Sequence, residues 1–290
     1  MKILIIGATG QLGSELTRAL GGHEIVGLSH GQCDVTDADT VIRTVVEAKP
    51  DVVINTAAFH KVEACEEDPA RAFAVNAEGA HHVARACLAV DALPVFVSTD
   101  YVFSGEKEGP YVEEDVPAPL NIYGISKAAG EMAVRATTLR HLIVRTSSMF
   151  GLRGSREKGG NFVETMLRLG SERDTIRVVD DQVMRPSYAG DVADVMAELL
   201  AREAVGTYHV TNSGQCSWHD LAAATFELAG VKVNLERTTT AAFGAKVRRP
   251  ANSVLDHKAL AALGVPSPRP WREGLAQYLA KRAALDKVRA

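Results

Sequence analysis

Continuous aliphatic runs, rather than an alternation of apolar and polar residues, recur in the first half of the chain: Lys2 to Ile6, Asp51 to Asn55 and Pro94 to Ser98. Runs of this kind are what strands covered on both faces of a parallel sheet require. Glu24 to Leu28 reads as the second strand. Between them lie helical stretches, Gln11 to Leu20 and Pro69 to Val90, the second opening with a proline suited to a first turn. Phe59 to Asp68 is polar and is expected to be a loop facing the substrate, and Pro110 to Pro119, rich in proline and acid, a surface loop. Further on, Thr175 to Val179 and Gly206 to Thr211 read as strands. Asn161 to Gly170, Tyr188 to Arg202, a Ser217-capped segment through Ala229, His257 to Leu263 and Trp271 to Leu285 read as helices. The alternation predicts an α/β fold with a doubly wound parallel sheet.

The first strand runs straight into Gly7-Ala8-Thr9-Gly10-Gln11-Leu12-Gly13. Glycines at this spacing permit a tight turn, admit a pyrophosphate close to the backbone and let the following helix pack on the strand, so the sheet is read as Rossmann-type. Gly7, Thr9, Gly10, Gln11, Leu12 and Gly13 are therefore candidate dinucleotide contacts. An acidic residue after the second strand would accept the ribose 2′-hydroxyl of NAD. Here Ser29 and His30 stand at that point, with no carboxylate to repel a 2′-phosphate, so NADP(H) is preferred and NAD(H) remains admissible. Arg18 and Arg43 are the arginines in reach of such a phosphate on sequence grounds, against the plain reading as exposed helix residues. Ala57 and Ala58 leave room for a flat ring over the end of the third strand, and Asn76, unfavourable inside a helix, either serves the site below that ring or bonds within the core.

Composition narrows the setting. The 290 residues are 46% hydrophobic and 23% charged, with a formal net charge of −4, which provides no basic footprint for nucleic acid. The four cysteines, Cys33, Cys65, Cys87 and Cys216, form neither a Cys-x-x-Cys nor a Cys/His metal spacing, so no disulfide framework and no metal site are expected. The initial apolar run is too short for a signal or a membrane span, and a cytoplasmic setting is expected.

The chemistry concentrates in Tyr123-Gly124-Ile125-Ser126-Lys127. On a helix the phenol and the ammonium lie one turn apart on one face. A phenol has a reference pKa of about 10, so a fixed cation is needed to stabilise its phenolate near neutrality. Thr99, in Ser98-Thr99-Asp100-Tyr101-Val102-Phe103, belongs at the carboxyl end of the fourth strand, where ligands collect in open α/β sheets. Its hydroxyl is suited to a carbonyl oxygen on which charge develops. Thr99, Tyr123 and Lys127 then form a triad.

These stretches, together with Pro119-Leu120-Asn121-Ile122-Tyr123-Gly124, Arg145-Thr146-Ser147, Gly160-Asn161-Phe162, Asp180-Asp181-Gln182, Trp218-His219-Asp220 and Arg249-Pro250-Ala251-Asn252-Ser253, resemble the extended short-chain dehydrogenase/reductases. Within them the chain is most similar to the dTDP-4-dehydrorhamnose reductase family. The resemblance implies reduction of the 4-keto group of a nucleotide-linked 6-deoxy sugar. Tyr123 would be the acid; Lys127 would hold the nicotinamide ribose and lower the phenol pKa, and Thr99 would orient the carbonyl. It also places Asp34, with Val35, beside the adenine, although Asp34 reads equally well as a turn and cap residue. Ser98 joins the cofactor candidates, and Thr99, Asp100, Tyr101, Ser148, Asn161, Arg185 and Arg249 the substrate candidates. Residues 1–150 are expected to bind the dinucleotide, with helix 188–202 and strand 206–211 returning to them, and residues 151–290 mainly to form a smaller C-terminal α/β substrate lobe.

Two positions depart from the family pattern. Ser148 stands where a tryptophan usually follows Arg-Thr-Ser, and Arg185 where a small residue precedes the proline, either to grip a diphosphate or to pair with Asp181. His219 is read as a surface or cap residue. The same resemblance leaves open a nucleotide-sugar epimerase or dehydratase, and a non-catalytic NADP-binding regulatory subunit like that of methionine adenosyltransferase. A homodimer is a further expectation, without a metal.

Overall fold

In the computed structural model, which describes residues 1–153 and 160–289, the first half alternates strand and helix. It comprises β1 (Lys2–Ile6), α1 (Gln11–Ala19), β2 (Glu24–Leu28), α2 (Ala38–Ala48), β3 (Val52–Asn55), α3 (Val62–Glu67), α4 (Pro69–Phe73), α5 (Gly79–Ala89), β4 (Leu93–Thr99), α6 (Ile122–Thr137) and β5 (Leu142–Thr146). The second half holds β6 (Met149–Phe150), α7 (Phe162–Glu172), β7 (Thr175–Val179), β8 (Val183–Met184), β9 (Ser187–Tyr188), α8 (Ala189–Ala201) and β10 (Gly206–His209). After these come β11 (Cys216–Ser217), α9 (Trp218–Ala229), β12 (Asn234–Thr238), α10 (Thr240–Phe243), α11 (Lys258–Ala262) and α12 (Trp271–Arg289).

The central sheet is six-stranded and parallel, in the order β10-β5-β4-β3-β1-β2. The chain steps from β1 outward to β2, then returns to lay β3 on the other side of β1. The crevice at that reversal is where open α/β sheets bind ligands. Both faces of the sheet are covered, which is why its strands are apolar throughout. Ile3, Ile5, Val52 and Ile54 pack with Leu12 and Leu16 of α1 and with Val192, Met196 and Leu199 of α8. Leu4, Ile6 and Val53 face the opposite way, onto Val41 and Val45 of α2 and Val83 and Cys87 of α5. Each such fully buried side chain contributes roughly 1.5–3 kcal/mol.

The later elements build a second core around Phe150, Val163, Tyr188, Leu221, Leu275 and Tyr278. Three two-stranded ribbons border it: β7 with β12, β8 with β11, and β6 with β9. All four cysteines are buried and free. Among the described residues no helix is long and apolar enough to cross a membrane.

Two local expectations change. Phe59 to Asp68 is not all loop, because Val62–Glu67 forms α3 with Cys65 buried beneath it and its thiol on the Phe59 carbonyl at 3.2 Å. The helix from Pro69 is interrupted by a π-helical turn at Ala74–Glu78, which carries Asn76. The stretch from Pro110 is the surface loop expected, exposed at Glu114, Val116 and Ala118, and it is pinned at its start. Tyr111 is buried, donates its N–H to the Val254 carbonyl at 2.7 Å, and stacks on Phe103 at 4.2 Å.

Candidate active site

The glycine turn closes tightly after β1. Gly7 has φ +85°, and the N–H groups of Gly7 and Ala8 both donate to the Leu28 carbonyl at 2.9 Å. A Cβ on Gly13 would stand 2.3 Å from the Gly7 carbonyl oxygen, so α1 can pack this closely only without one. Gly10 begins α1 with no side-chain cap, and Thr9 beside it is exposed. An N-terminus of this kind, with backbone donors and the positive end of the helix dipole, suits an anion. Leu12 turns its side chain into the core. Gln11 accepts a bond from Asn161 Nδ2 at 3.1 Å.

Around the turn, Ser29 donates through both its N–H and its hydroxyl to Gln32 Oε1, at 2.9 and 2.8 Å. Asp34 closes its own turn on the Thr36 N–H and hydroxyl, which hold its carboxyl below the usual range, and Val35 is buried against α2. Arg18 points away from the end of β2, to Glu15 and to Asp194 of α8 at 2.8 Å each, and Arg43 to Thr40. Ala57 and Ala58 follow β3 half-buried. Asn76 is satisfied: it exchanges bonds of 2.9 Å with the Phe59 N–H and carbonyl and donates to Ser126 Oγ at 3.0 Å. Its side chain clips the segment after β3 to α6.

The triad residues converge at the carboxyl end of β4. Asn121 caps α6 by accepting from the Gly124 N–H at 2.9 Å. Gly124 is needed for approach, since a Cβ there would lie 2.2 Å from the Tyr101 carbonyl oxygen. Tyr123 is hydrogen-bonded to the Thr99 hydroxyl; burial raises its phenol above the usual range, against the pull of Thr99 and with the push of Asp100. The phenol is therefore protonated near neutrality. Lys127, 1% exposed, donates to the Val97 carbonyl at 2.6 Å and lies 4.0 Å over the Phe96 ring. Burial pushes it down to about 7, with Glu131 acting in the opposite direction. The ammonium thus addresses the sheet backbone, and burial, Thr99 and Asp100 set the phenol.

Thr99 donates to Asp100 Oδ1 at 3.0 Å and accepts from the Tyr101 N–H at 3.2 Å. Asp100 is buried, which raises its carboxyl, and it accepts further from Ser147 at 2.7 Å and from the Ser253 hydroxyl. Ser98 turns away from the crevice: its hydroxyl donates to Glu131 Oε1 at 2.6 Å. Glu131 is held in turn by Arg145 through bonds of 2.8 and 2.7 Å and by Arg135 at 3.0 Å, which keep its carboxyl low despite burial. Sequence reading gave Glu131 no role. Its position four residues after Lys127 on α6 was the available signal.

A narrow cleft lies beside the triad, lined by Tyr101, Ser148, Gln182, Met184, Trp218 and Ser253 with Val183 and Pro250. The Tyr101 ring meets Tyr123 edge-on at 5.9 Å, and its hydroxyl bonds Arg249, which pairs with Glu63. Ser148 sits at φ +42°, a left-handed conformation uncommon for a non-glycine residue and shared in this chain by Lys49, Asp91 and Glu203. Asn161 and Arg185 do not line this cleft. Asn161 caps α7 and ties it to Gln11. Arg185 is half-buried with Asp256 as its nearest opposing charge; Asp181, the partner considered from sequence, instead accepts from Thr240. His219, read as a surface or cap residue, lies in the capped first turn of α9 but is buried, because Asp180 after β7 approaches that turn.

A family model, RmlD substrate binding domain, matches residues 1–284. The chain belongs to this family. Among RmlD-family relatives, the spore coat polysaccharide biosynthesis protein SpsK of Bacillus subtilis is 41% identical over 285 residues, covering 98% of each chain. The dTDP-4-dehydrorhamnose reductase of Streptomyces griseus is 41% identical, covering 94% of this chain and 91% of its own. The crystal structure of dTDP-4-dehydrorhamnose reductase from Bacillus anthracis in complex with NADP superposes with a TM-score of 0.92 at 39% identity, covering 97% of this chain and 99% of that one.

Proposed function

We propose that this protein is an NADPH-dependent reductase of the 4-keto group of a nucleotide-linked 6-deoxy sugar, with dTDP-4-dehydrorhamnose as substrate and dTDP-rhamnose as product. The observation that carries the reading is the Tyr123 phenol, kept protonated by burial and hydrogen-bonded to Thr99, with Lys127 one turn further along the same helix. Named relatives with the reductase activity, similar over nearly their whole length, support it.

The dinucleotide fits the Cβ-free cradle between Gly7 and Gly13 and the uncapped start of α1. Gly7, Thr9, Gly10, Gln11, Leu12 and Gly13 would hold its pyrophosphate through their backbone, with Ala57 and Ala58 beneath the ring and Lys127 at the ribose. Ser29 in place of a carboxylate after β2 favours NADP(H). Bound there, the cofactor supplies the hydride. The protein's own part is proton delivery and electrostatic orientation. Tyr123 gives its phenolic proton to the carbonyl oxygen as negative charge develops there, and the Thr99 hydroxyl orients the same oxygen. In this structure the Thr99 hydroxyl donates to Asp100 at 3.0 Å, so it would turn from that carboxyl to the carbonyl oxygen when substrate is bound. Tyr101, Ser148 and Arg249 are placed to receive the sugar nucleotide, with residues 151–290 forming most of the substrate side.

The test is NADPH oxidation with enzymatically generated dTDP-4-dehydrorhamnose. Tyr123→Phe should lower kcat by about 10²–10⁴-fold, the usual contribution of a positioned acid, while NADPH binding by fluorescence titration stays unchanged. Binding of NADPH without turnover in the wild type would refute the substrate and leave another keto sugar or the regulatory-subunit reading.

A further inference from the structure

Outside the triad and the cleft, one group of side chains has ligand chemistry that the proposed reaction does not use. Asp180, just after β7, meets His219 and Asp220 in the first turn of α9, and one ligand atom from each lies within 4.8 Å of the others. His219 is 7% exposed, and neither of its ring nitrogens has a hydrogen-bond partner among the described residues. Its Nδ1 faces Asp220 Oδ1 at 3.7 Å. A buried imidazole with both nitrogens unmet is unfavourable unless something else completes it.

We propose that Asp180, His219 and Asp220 form a binding site for a divalent transition metal ion. One imidazole nitrogen with two carboxylates suits Zn²⁺, Co²⁺ or Mn²⁺, whereas Ca²⁺ and Mg²⁺ prefer oxygen alone. Metal–ligand distances of about 2.0–2.2 Å require the three atoms to close by roughly 1 Å, within the reach of side-chain rotation. Ser217 orients both acids: its hydroxyl donates to Asp180 Oδ1 at 2.6 Å and its N–H to Asp220 Oδ2 at 3.3 Å. Without the ion, Arg237 supplies the positive charge, pairing with Asp180 and, at 3.6 Å, with Asp220. Its side chain is 59% exposed, so it can leave for solvent when a metal enters.

The consequence is mechanical. Such an ion ties the end of β7 to the start of α9, next to Gln182 and Trp218, which bond each other at 3.2 Å and line the cleft. It stiffens one wall of the cleft and touches none of the reacting groups.

The experiment is titration of the full chain, stripped with EDTA, with Co²⁺ and Zn²⁺, followed by calorimetry and by Co²⁺ visible absorption. The expected result is one ion per chain, with affinity at least tenfold weaker in His219→Gln and in Asp180→Asn. The exposed Arg237→Ala, whose fold is not at stake, should bind more tightly than the wild type because a competing cation is gone. No uptake of either metal below millimolar concentration by the wild type and Arg237→Ala would overturn the proposal. So would uptake that His219→Gln and Asp180→Asn leave unchanged. NADPH binding, measured in the same samples, should not respond to the metal, so failure of this site is distinguishable from failure of the reductase reading.

Discussion

Replacing Lys127 with methionine should stabilise the protein at low pH while abolishing its activity. The native ammonium is pushed from 10.5 to about 7 by burial. Between these values the unfolded chain binds a proton that the native chain has released, so stability rises with pH across this window and the full cost of burying the charge applies below pH 7. A shift of this size corresponds to roughly 5 kcal/mol. Against that gain, the variant loses the 2.6 Å bond to the Val97 carbonyl, a charged hydrogen bond of about 1.5–3 kcal/mol. Methionine keeps a polarizable contact with the Phe96 ring. Lys127→Met is therefore expected to be more stable than the wild type by about 2–3 kcal/mol at pH 6. From pH 6 to pH 9 the wild type should gain roughly 2.5 kcal/mol from this group and the variant nothing, which brings the two close together. Urea unfolding at both pH values, compared through midpoints at a common m-value, measures the gap. A gap of the same size at pH 6 and pH 9 would refute the argument, because no titration of Lys127 would then separate the two proteins.

Two further changes test the scaffold. Gly13→Ala puts a methyl group 2.3 Å from the Gly7 carbonyl; it should weaken NADPH binding at least tenfold in a fluorescence titration, and wild-type affinity would show that the turn is not the cofactor cradle. Glu131→Gln leaves Arg145, 1% exposed, with a neutral partner. It should cost about 3–5 kcal/mol in denaturant unfolding and, because Glu131 raises the proton affinity of Lys127, move the alkaline limb of the rate profile to lower pH. A loss below 1 kcal/mol would remove the pair from the account.

The fold was legible where local physics decided it. The aliphatic runs at Ile3–Ile6 and Val52–Ile54 have no polar face because α1 and α8 cover one side of the sheet and α2 and α5 the other. The ribbon of β7 with β12 was half legible. Thr175–Val179 alternates exposed and buried positions, whereas Asn234–Thr238 has one apolar residue in five and becomes a strand only because β7 lies alongside it. The first turn of α9 shows the same limit. Ser217 announced the cap, but the burial of His219 depends on the approach of Asp180, and nothing within Trp218-His219-Asp220 encodes that approach.

For the site, sequence could supply the groups but not the direction each one faces. Tyr123 and Lys127 share a helix, and helical spacing alone puts them on one face; Thr99 joins them because β4 ends beside α6. Ser98, one residue earlier, necessarily faces the opposite side of the strand, and there it meets Glu131 and Arg145. The candidate threonine and the serine that meets the buried ion pair are thus adjacent positions of one strand, and Lys127 and Glu131, four residues apart on one face of α6, stand beside them. Lys127 lies beside both, with Glu131 four residues along supplying a charge that raises its proton affinity. A change on the buried side therefore reaches the reacting side through that lysine, even though no residue of the ion pair lines the cleft.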